Sequence, residues 1–297
     1  MQKIINMKNA KIIFDCNEVI NLFLHTLNIY GILGNHGTQY SLRQDEKVIN
    51  SMDKKIEADV KQGDYYFSYG ELAIFEPGMN YIVNNGTWEK PVDQENINMG
   101  VTQMNFNLAF QKSWYEFYKE YWYDTLTDRS KLFQECINAF DFVEGSKKMT
   151  LAAHREFPKK FYVFPAEALI HSGLKFNDNI CMGDLQIGED IGFIHEGLHL
   201  LLNEEWAKYT EIIETIKSAN YKENYYHSWA AKYEQALVIG LDCCITNQDD
   251  RIAENYYNGC DVGDVFSIAY PLIKDYYYNG CNESIEKLML KIISHTL

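Results

Sequence analysis

The stretch Ile194-His195-Glu196-Gly197-Leu198-His199-Leu200 determines how the second half of the chain is interpreted. It contains the pattern His-Glu-x-x-His inside a run that is otherwise apolar and typical of a helix. Residues four apart lie one turn above each other on the same face of an α-helix, so His195 and His199 are predicted to project side by side. Glu196 is rotated by about 100° around the helix, because one turn takes about 3.6 residues.

Such a pair of imidazoles suits a divalent metal ion. A catalytic zinc site usually combines three protein ligands with an open position that holds water. From its place on the helix, the carboxylate of Glu196 can reach that water and act as a base without being a ligand. The alternative is an amphipathic helix whose histidines are satisfied by hydrogen bonds, although burying two histidines and a glutamate without a metal is costly. The pattern therefore predicts Zn²⁺ as the cofactor, with His195 and His199 as ligands.

The charge balance limits the partners of the protein. The chain has 297 residues and a formal net charge of -15, and its arginines number only four. A chain with this excess of negative charge is not expected to bind nucleic acid or an anionic membrane surface. A basic peptide substrate is compatible with the charge, whereas the oligomeric state is left undetermined by the sequence.

The cysteines and the apolar segments of the sequence indicate the cellular compartment of the protein. Seven cysteines are scattered along the chain without a Cys-x-x-Cys pair, so neither a disulfide framework nor a cysteine-based zinc site is predicted. Residues 1–14 lack the apolar core of a secretory signal, and no run of about 18 apolar residues is present that would span a membrane. We therefore expect a cytoplasmic protein with reduced thiols and no membrane partner.

Hydrophobic periodicity predicts an α+β fold that is predominantly helical. Strands are predicted at residues 10–14 and 161–164 and in an extended stretch at residues 174–182. The strands of the second half predict a small sheet that precedes the His-Glu-x-x-His helix. Helices are predicted at residues 129–143 and 228–245, on either side of that region.

The pattern of the sequence changes near residue 150, and this change predicts the domain organisation. Gly145-Ser146-Lys147-Lys148 indicates a linker just before this point. Residues 1–150 are predicted to be a mainly helical N-terminal region, either separate or packed within one globule. Residues 151–297 are predicted to be the region that holds the metal site.

A His-Glu-x-x-His helix preceded by strands resembles the zincin superfamily of zinc metallopeptidases, and the resemblance covers residues 160–245. One branch, the metzincins, places a glycine three residues after the second histidine and a third histidine three residues further on. Leu202 and Glu205 stand at those positions here, which excludes that branch. The remaining resemblance is to the gluzincins, whose third ligand is a glutamate on a later helix. It implies a zincin-like peptidase region at residues 151–297.

By this resemblance, Glu234 is the expected third metal ligand. It lies 35 residues after His199 in a helix that is mostly apolar and contains small alanines, so that helix can pack closely on the metal helix. Asp242, two turns further along, is either a group that orients a ligand imidazole through its second nitrogen or an ordinary surface or C-terminal aspartate. Rival ligands are the acidic residues of the intervening segment, Glu211, Glu214 and Glu223.

Metallopeptidases usually add a hydrogen-bond donor that stabilises the negative oxygen formed during hydrolysis. Tyr225, Tyr226 and His227 lie just before the helix that carries Glu234, and of these we expect Tyr226 and His227 to take part in catalysis. His171 and His154 are alternative donors.

The predicted activity is hydrolysis of peptide bonds by a metal-activated water, with Glu196 as the general base. The substrate would be a peptide or protein, held in extended form on an edge strand of the sheet by main-chain hydrogen bonds. The alternative is a non-catalytic module with an inherited zincin-like fold that binds a peptide or protein. Hydrolysis of a small-molecule amide by the same site is a third alternative.

Overall fold

A computed structural model of the protein describes residues 2–17, 20, 21, 24, 25, 28, 126–138, 140–169, 173–176, 178–183, 192–202, 229–247 and 262–296. The statements below concern these residues. The strands are β1 (Gln2–Asn6), β2 (Lys11–Asp15), β3 (Lys160–Pro165), β4 (Gly173–Phe176) and β5 (Asn179–Met182). The helices are α1 (Leu126–Asn138), α2 (Phe142–Ala153), α3 (residues 192–202), α4 (Trp229–Ile245), α5 (Gly263–Tyr278) and α6 (Ile285–Thr296).

The strands form one mixed sheet in the order β1-β2-β3-β5-β4. β3 pairs in parallel with β5, with Val163 opposite Ile180, and β4 pairs antiparallel with β5. All four residues of β5 are buried, as is usual for a strand that carries a parallel neighbour inside a sheet. The three predicted extended segments are therefore confirmed, and helices together with a small mixed sheet agree with an α+β fold.

The chain divides into two compact units, each built from three segments of sequence. The first unit is Met1–Ile4, Ile13–Ala139 and Tyr162–Gln186, and the second is Ile5–Ile12, Phe140–Phe161 and Ile187–Leu297. The domain division at residue 150 stays a prediction, because most of residues 18–125 lie outside the described part of the chain.

In the first unit, a buried asparagine connects the residues after β2 with the end of β3. Asn21 donates from its side-chain amide to the carbonyl oxygen of Pro165 at 2.9 Å and accepts from the backbone N–H of Glu167 at 3.1 Å. One side chain therefore satisfies two backbone groups where β3 ends, which fixes the chain at that point.

The predicted linker at residues 145–148 is wrong, because these residues lie within α2. A break at residue 141 instead divides the predicted helix 129–143 into α1 and the start of α2. Asp141 forms the N-cap of α2, accepting with Oδ1 from the N–H groups of Val143 at 3.1 Å and Glu144 at 2.9 Å. Gly145 is buried, and a Cβ atom there would overlap the ring of Phe140, so this glycine permits close packing and does not mark a linker.

In the second unit, three polar contacts join the helices around α4. Lys232 Nζ forms an ion pair with Asp264 of α5 at 2.6 Å. The hydroxyl groups of Tyr233 and Thr296 form a hydrogen bond between α4 and α6. Tyr276 of α5 donates to the carbonyl oxygen of Ala152 at the end of α2, at 2.7 Å. Helix α4 agrees with the predicted helix 228–245, whereas α5 was not predicted.

The N-cap of α2 provides a first test of this fold. We expect Asp141→Ala to lower the free energy of unfolding by about 1 kcal/mol, because two N–H groups lose their acceptor. Asp141→Asn keeps a cap of similar strength and serves as the control. Chemical denaturation measures both variants, and equal destabilisation by alanine and asparagine would contradict the capping role.

A second test concerns Glu286, which lies in the first turn of α6 and bonds to Arg155 Nη2 at 2.5 Å. Hydrogen bonds from its own backbone N–H, then from Arg155 and Ser284, lower the pKa of Glu286 to about 2. A lowered folded-state pKa stabilises the fold above the unfolded pKa, and this contribution is lost as the pH falls towards 2.

We therefore expect Glu286→Gln to reduce the free energy of unfolding at pH 7 by at most about 1 kcal/mol, since both side chains are about a third exposed. The difference from the unmodified protein should shrink between pH 4.5 and pH 2, the range bounded by the ordinary and the lowered pKa. Denaturation curves at several pH values measure it. Glu135→Gln, which breaks an exposed ion pair with Lys131, is the control and should have no effect.

Candidate metal and catalytic site

The two histidines of the His-Glu-x-x-His pattern lie side by side on α3. Their ring centroids are 5.0 Å apart, and the ring planes are inclined by 69°. His195 is 9% exposed and Glu196 is 2% exposed, so the polar face of this helix is largely removed from solvent. The spacing in the sequence predicted this proximity, because residues four apart share a helix face.

Apolar packing on the remaining faces of α3 holds the histidine pair in place. Phe193 packs edge-on against Phe142 of α2, with ring centroids 4.9 Å apart. A Cβ atom on Gly197 would lie 2.8 Å from Met149 Sδ, so the absence of a side chain at this position lets α2 approach α3 closely. Further apolar residues of α3 are buried as well: Ile194, Leu198, Leu201 and Leu202.

Glu234 of α4 contacts the second histidine. Its Oε1 lies 2.8 Å from Nδ1 of His199, and the two side chains are 25% and 15% exposed. An ionised carboxylate only accepts hydrogen bonds, so Nδ1 of His199 carries the proton in this contact. The glutamate predicted as the third ligand is therefore brought to the second histidine of the pair. Its rivals Glu211, Glu214 and Glu223 lie outside the described residues, so the choice among them stays a prediction.

Asp242 lies near the first histidine and is buried, at 3% exposure. Its Oδ2 is 3.8 Å from Nδ1 of His195, which is too long for a hydrogen bond but close enough for a charge interaction. Burial raises the pKa of Asp242 above its ordinary value, the neighbouring His195 acts in the opposite direction, and the charge of Glu196 adds to the rise. The alternative of an ordinary surface aspartate is thus wrong.

One residue of the site was missed by the sequence analysis. Gln235, 7% exposed, directs its side-chain nitrogen towards Nε2 of His195 at 3.0 Å. The amide nitrogen of glutamine is only a donor, so Nε2 of His195 accepts and its proton resides on Nδ1, the side of Asp242. A signal was present, because Gln235 and Asp242 are seven residues apart and therefore share a face of α4 with polar groups in an apolar helix.

Most of the residues predicted to donate a hydrogen bond to the substrate oxygen lie outside the described part of the chain. Tyr226 and His227, together with Tyr225 and His171, lie outside it. His154 is described, and its Nε2 donates to the carbonyl oxygen of Cys281 at 2.9 Å. His154 therefore uses this nitrogen to bond the backbone of the segment that connects α5 and α6.

The donor atoms fit a divalent metal ion in their chemistry. Two imidazoles and the carboxylate of Glu234 are ligands that zinc accepts. Asp242 Oδ1 is buried and has no hydrogen-bond partner among the described residues, which is costly unless positive charge is nearby. Within the described ranges, however, no group of three His, Cys, Asp or Glu side chains is arranged so that it could hold a metal ion.

Comparison of the chain with protein-family models, with curated proteins and with solved structures gave no match. The resemblance to zincins therefore rests on the sequence pattern alone. In the described residues, no helix is long and apolar enough to cross a membrane.

The contact between Glu234 and His199 can be tested by zinc binding. We expect Glu234→Gln to weaken zinc affinity by more than about 100-fold, because loss of a ligand exceeds the roughly 10- to 100-fold cost of losing a group that only orients one. Competition with a chromophoric chelator measures the affinity. A loss of affinity of only about 10- to 100-fold would mean that Glu234 orients His199, and it would contradict the role of Glu234 as a ligand. Glu156→Gln, at an exposed position after α2, is the control.

Proposed function

We propose that the protein is a zinc-dependent peptidase of zincin-like type. His195, His199 and Glu234 would hold the ion, and Glu196 would act as the general base. The observation that supports this proposal most directly is the 2.8 Å contact between Glu234 and His199, which joins the second histidine of the pattern to the glutamate that the resemblance implies. A chance surface glutamate would not be expected at this place.

Zinc, when bound, acts as a Lewis acid that polarises a peptide carbonyl and lowers the pKa of a water molecule. In the proposed reaction Glu196 removes a proton from water while the water oxygen forms a bond to the carbonyl carbon. The carbon–nitrogen bond then breaks, and Glu196 returns the proton to the leaving nitrogen. The 2% exposure of Glu196 favours this role, because a buried base exchanges its proton with the substrate in preference to bulk solvent.

The remaining site residues would support the ligands and the substrate. Asp242 would orient His195 through the Nδ1 proton, as carboxylates commonly do behind metal-bound histidines. Tyr226 and His227 remain our proposed donors to the substrate oxygen. The substrate would be a peptide or protein, held in extended form by main-chain hydrogen bonds.

We also propose a cytoplasmic location and substrates with basic residues. The seven cysteines are scattered along the sequence without the spacing of a disulfide framework, which suits a reducing compartment. The net charge of -15 would attract basic peptides and repel nucleic acid.

A second candidate function, a non-catalytic module that binds a peptide or protein, is favoured by one observation. Both imidazoles already have hydrogen-bonding partners, since Gln235 contacts His195 and Glu234 contacts His199. Such contacts would satisfy the histidines in a protein that holds no metal. Elemental analysis together with chelator-sensitive cleavage distinguishes the two functions, because the peptidase requires zinc whereas the module would bind its partner with or without a metal.

The proposed peptidase activity is tested by Glu196→Gln. We expect this variant to retain bound zinc and to lose about 100- to 10,000-fold in turnover, the usual contribution of a general base. Zinc is measured by elemental analysis, and cleavage of a mixture of unstructured peptides is followed by mass spectrometry with and without a chelator.

The unmodified protein should bind about one zinc ion and lose its cleavage activity in the chelator. Glu167→Gln serves as the control, because this glutamate lies after β3 and contacts His25. Undiminished cleavage by Glu196→Gln would contradict the role of the base. Absence of both zinc and chelator-sensitive cleavage in the unmodified protein would favour the binding module.

A further inference from the structure

The position of Gln235 has a consequence for the histidine that it contacts. Its amide nitrogen lies 3.0 Å from Nε2 of His195, and both residues are buried. Because the amide can only donate, Nε2 must present a lone pair to it. The proton of the imidazole is then on Nδ1, which faces the carboxylate of Asp242. The hydrogen bond from Gln235 therefore selects one tautomer of His195, with its proton on the side of Asp242.

The lone pair held by Gln235 is the one that His195 has available for a metal ion. With Nδ1 protonated and directed to Asp242, only Nε2 of this ring can bind a cation. An ion at Nε2 must displace the amide, so the amide and the ion compete for a single lone pair. The displaced amide would be a buried donor, and a buried donor without an acceptor is unfavourable.

We propose that Gln235 exchanges one acceptor for another when the metal binds. In the metal-free protein its amide donates to His195 Nε2 and keeps this nitrogen unprotonated. When the ion takes the lone pair, the amide donates to the carbonyl oxygen of the substrate as that oxygen gains negative charge. This inference rests on the proposed peptidase function and adds a catalytic hydrogen-bond donor to it, on α4 beside the third ligand.

A buried amide suits this second role. A donor that is already positioned in a water-excluded site stabilises a developing negative charge more than one that must first be ordered. Gln235 is fixed by its place on a packed helix, because Lys232 and Tyr233 on the preceding turn bind Asp264 and Thr296. The predicted donors Tyr226 and His227 are not required for this assignment.

The test uses Gln235→Met, which has a similar length and no donor. Removing the competitor should tighten zinc binding about 2- to 10-fold, the factor that corresponds to one neutral hydrogen bond. Removing the substrate donor should lower kcat about 100- to 1,000-fold. Opposite changes in affinity and turnover are the diagnostic result, because a merely structural role would lower both.

Two further variants keep the test decisive. Gln235→Leu also lacks a donor and cannot bind zinc, and it should show the same opposite changes if Gln235→Met does not fold. Glu156→Gln changes an exposed residue after α2, and it should leave zinc affinity and kcat unchanged. Chelator competition gives the affinity, and cleavage at saturating peptide gives kcat.

Imidazole nitrogen NMR spectra of the metal-free protein provide a readout that is independent of activity. They should show His195 with a proton on Nδ1, and the Nε2 signal should shift in Gln235→Met. An unmodified protein with Nε2 protonated would overturn the inference. A second result would also overturn it, provided that the unmodified protein binds zinc and cleaves peptides. In that result, Gln235→Met binds zinc less tightly than the unmodified protein, or it cleaves peptides equally fast.

The two proposals fail in different ways. If the unmodified protein binds no zinc and cleaves no peptide, the peptidase proposal is wrong and the exchange of acceptors falls with it. If it binds zinc and cleaves, but the Gln235 variants show no opposite changes, only the role of Gln235 is wrong.

Discussion

The polar contacts between α3 and α4 are the interaction on which the rest of the second unit depends. His199 meets Glu234, and His195 meets Gln235. These groups are largely buried, so the folded state would be destabilised if one partner moved away. A buried polar group without a hydrogen bond costs about 1–3 kcal/mol of stability. Apolar helices can slide or rotate against each other at modest cost, whereas paired polar side chains permit a single arrangement.

Other parts of the second unit keep α4 in the rotation that this arrangement requires. Lys232 and Tyr233 directly precede Glu234 and Gln235, and they are tied to α5 and α6. Consecutive residues on a helix are about 100° apart, so two contacts on one side and two on the other leave α4 little freedom to turn. On the opposite side of α3, Gly197 brings Met149 of α2 close to the helix backbone.

Acidic side chains lie close to both histidines of the proposed metal site. Glu196 and Asp242 are buried, and Glu234 is partly buried, around two imidazoles. The described contacts of Glu234 and Asp242 with basic side chains are those with His199 and His195. Burial raises the pKa of Asp242, which reflects the cost of holding a charge at this place, and a divalent ion nearby would offset that cost.

The sequence by itself determined the features that depend on local periodicity. The spacing of His195 and His199, the strands around residues 161–182 and the helix at residues 228–245 follow from repeats of about two or 3.6 residues, which local backbone geometry imposes. Glu234 was predicted from a resemblance and from the small residues around it, and the structure brings it to His199.

Only the tertiary structure decided the rest. In the sequence Gly145 indicated a linker, but it lies within helix α2. The ring of Phe140 fills the space that a side chain at residue 145 would occupy. Helix α5 was not predicted, since it contains Pro271, a residue that usually interrupts helices. Asp242 and Gln235 acquire their significance from burial against His195, and burial is a property of how helices distant in sequence pack together. No local pattern specifies that packing, because it depends on the shapes of all the elements at once.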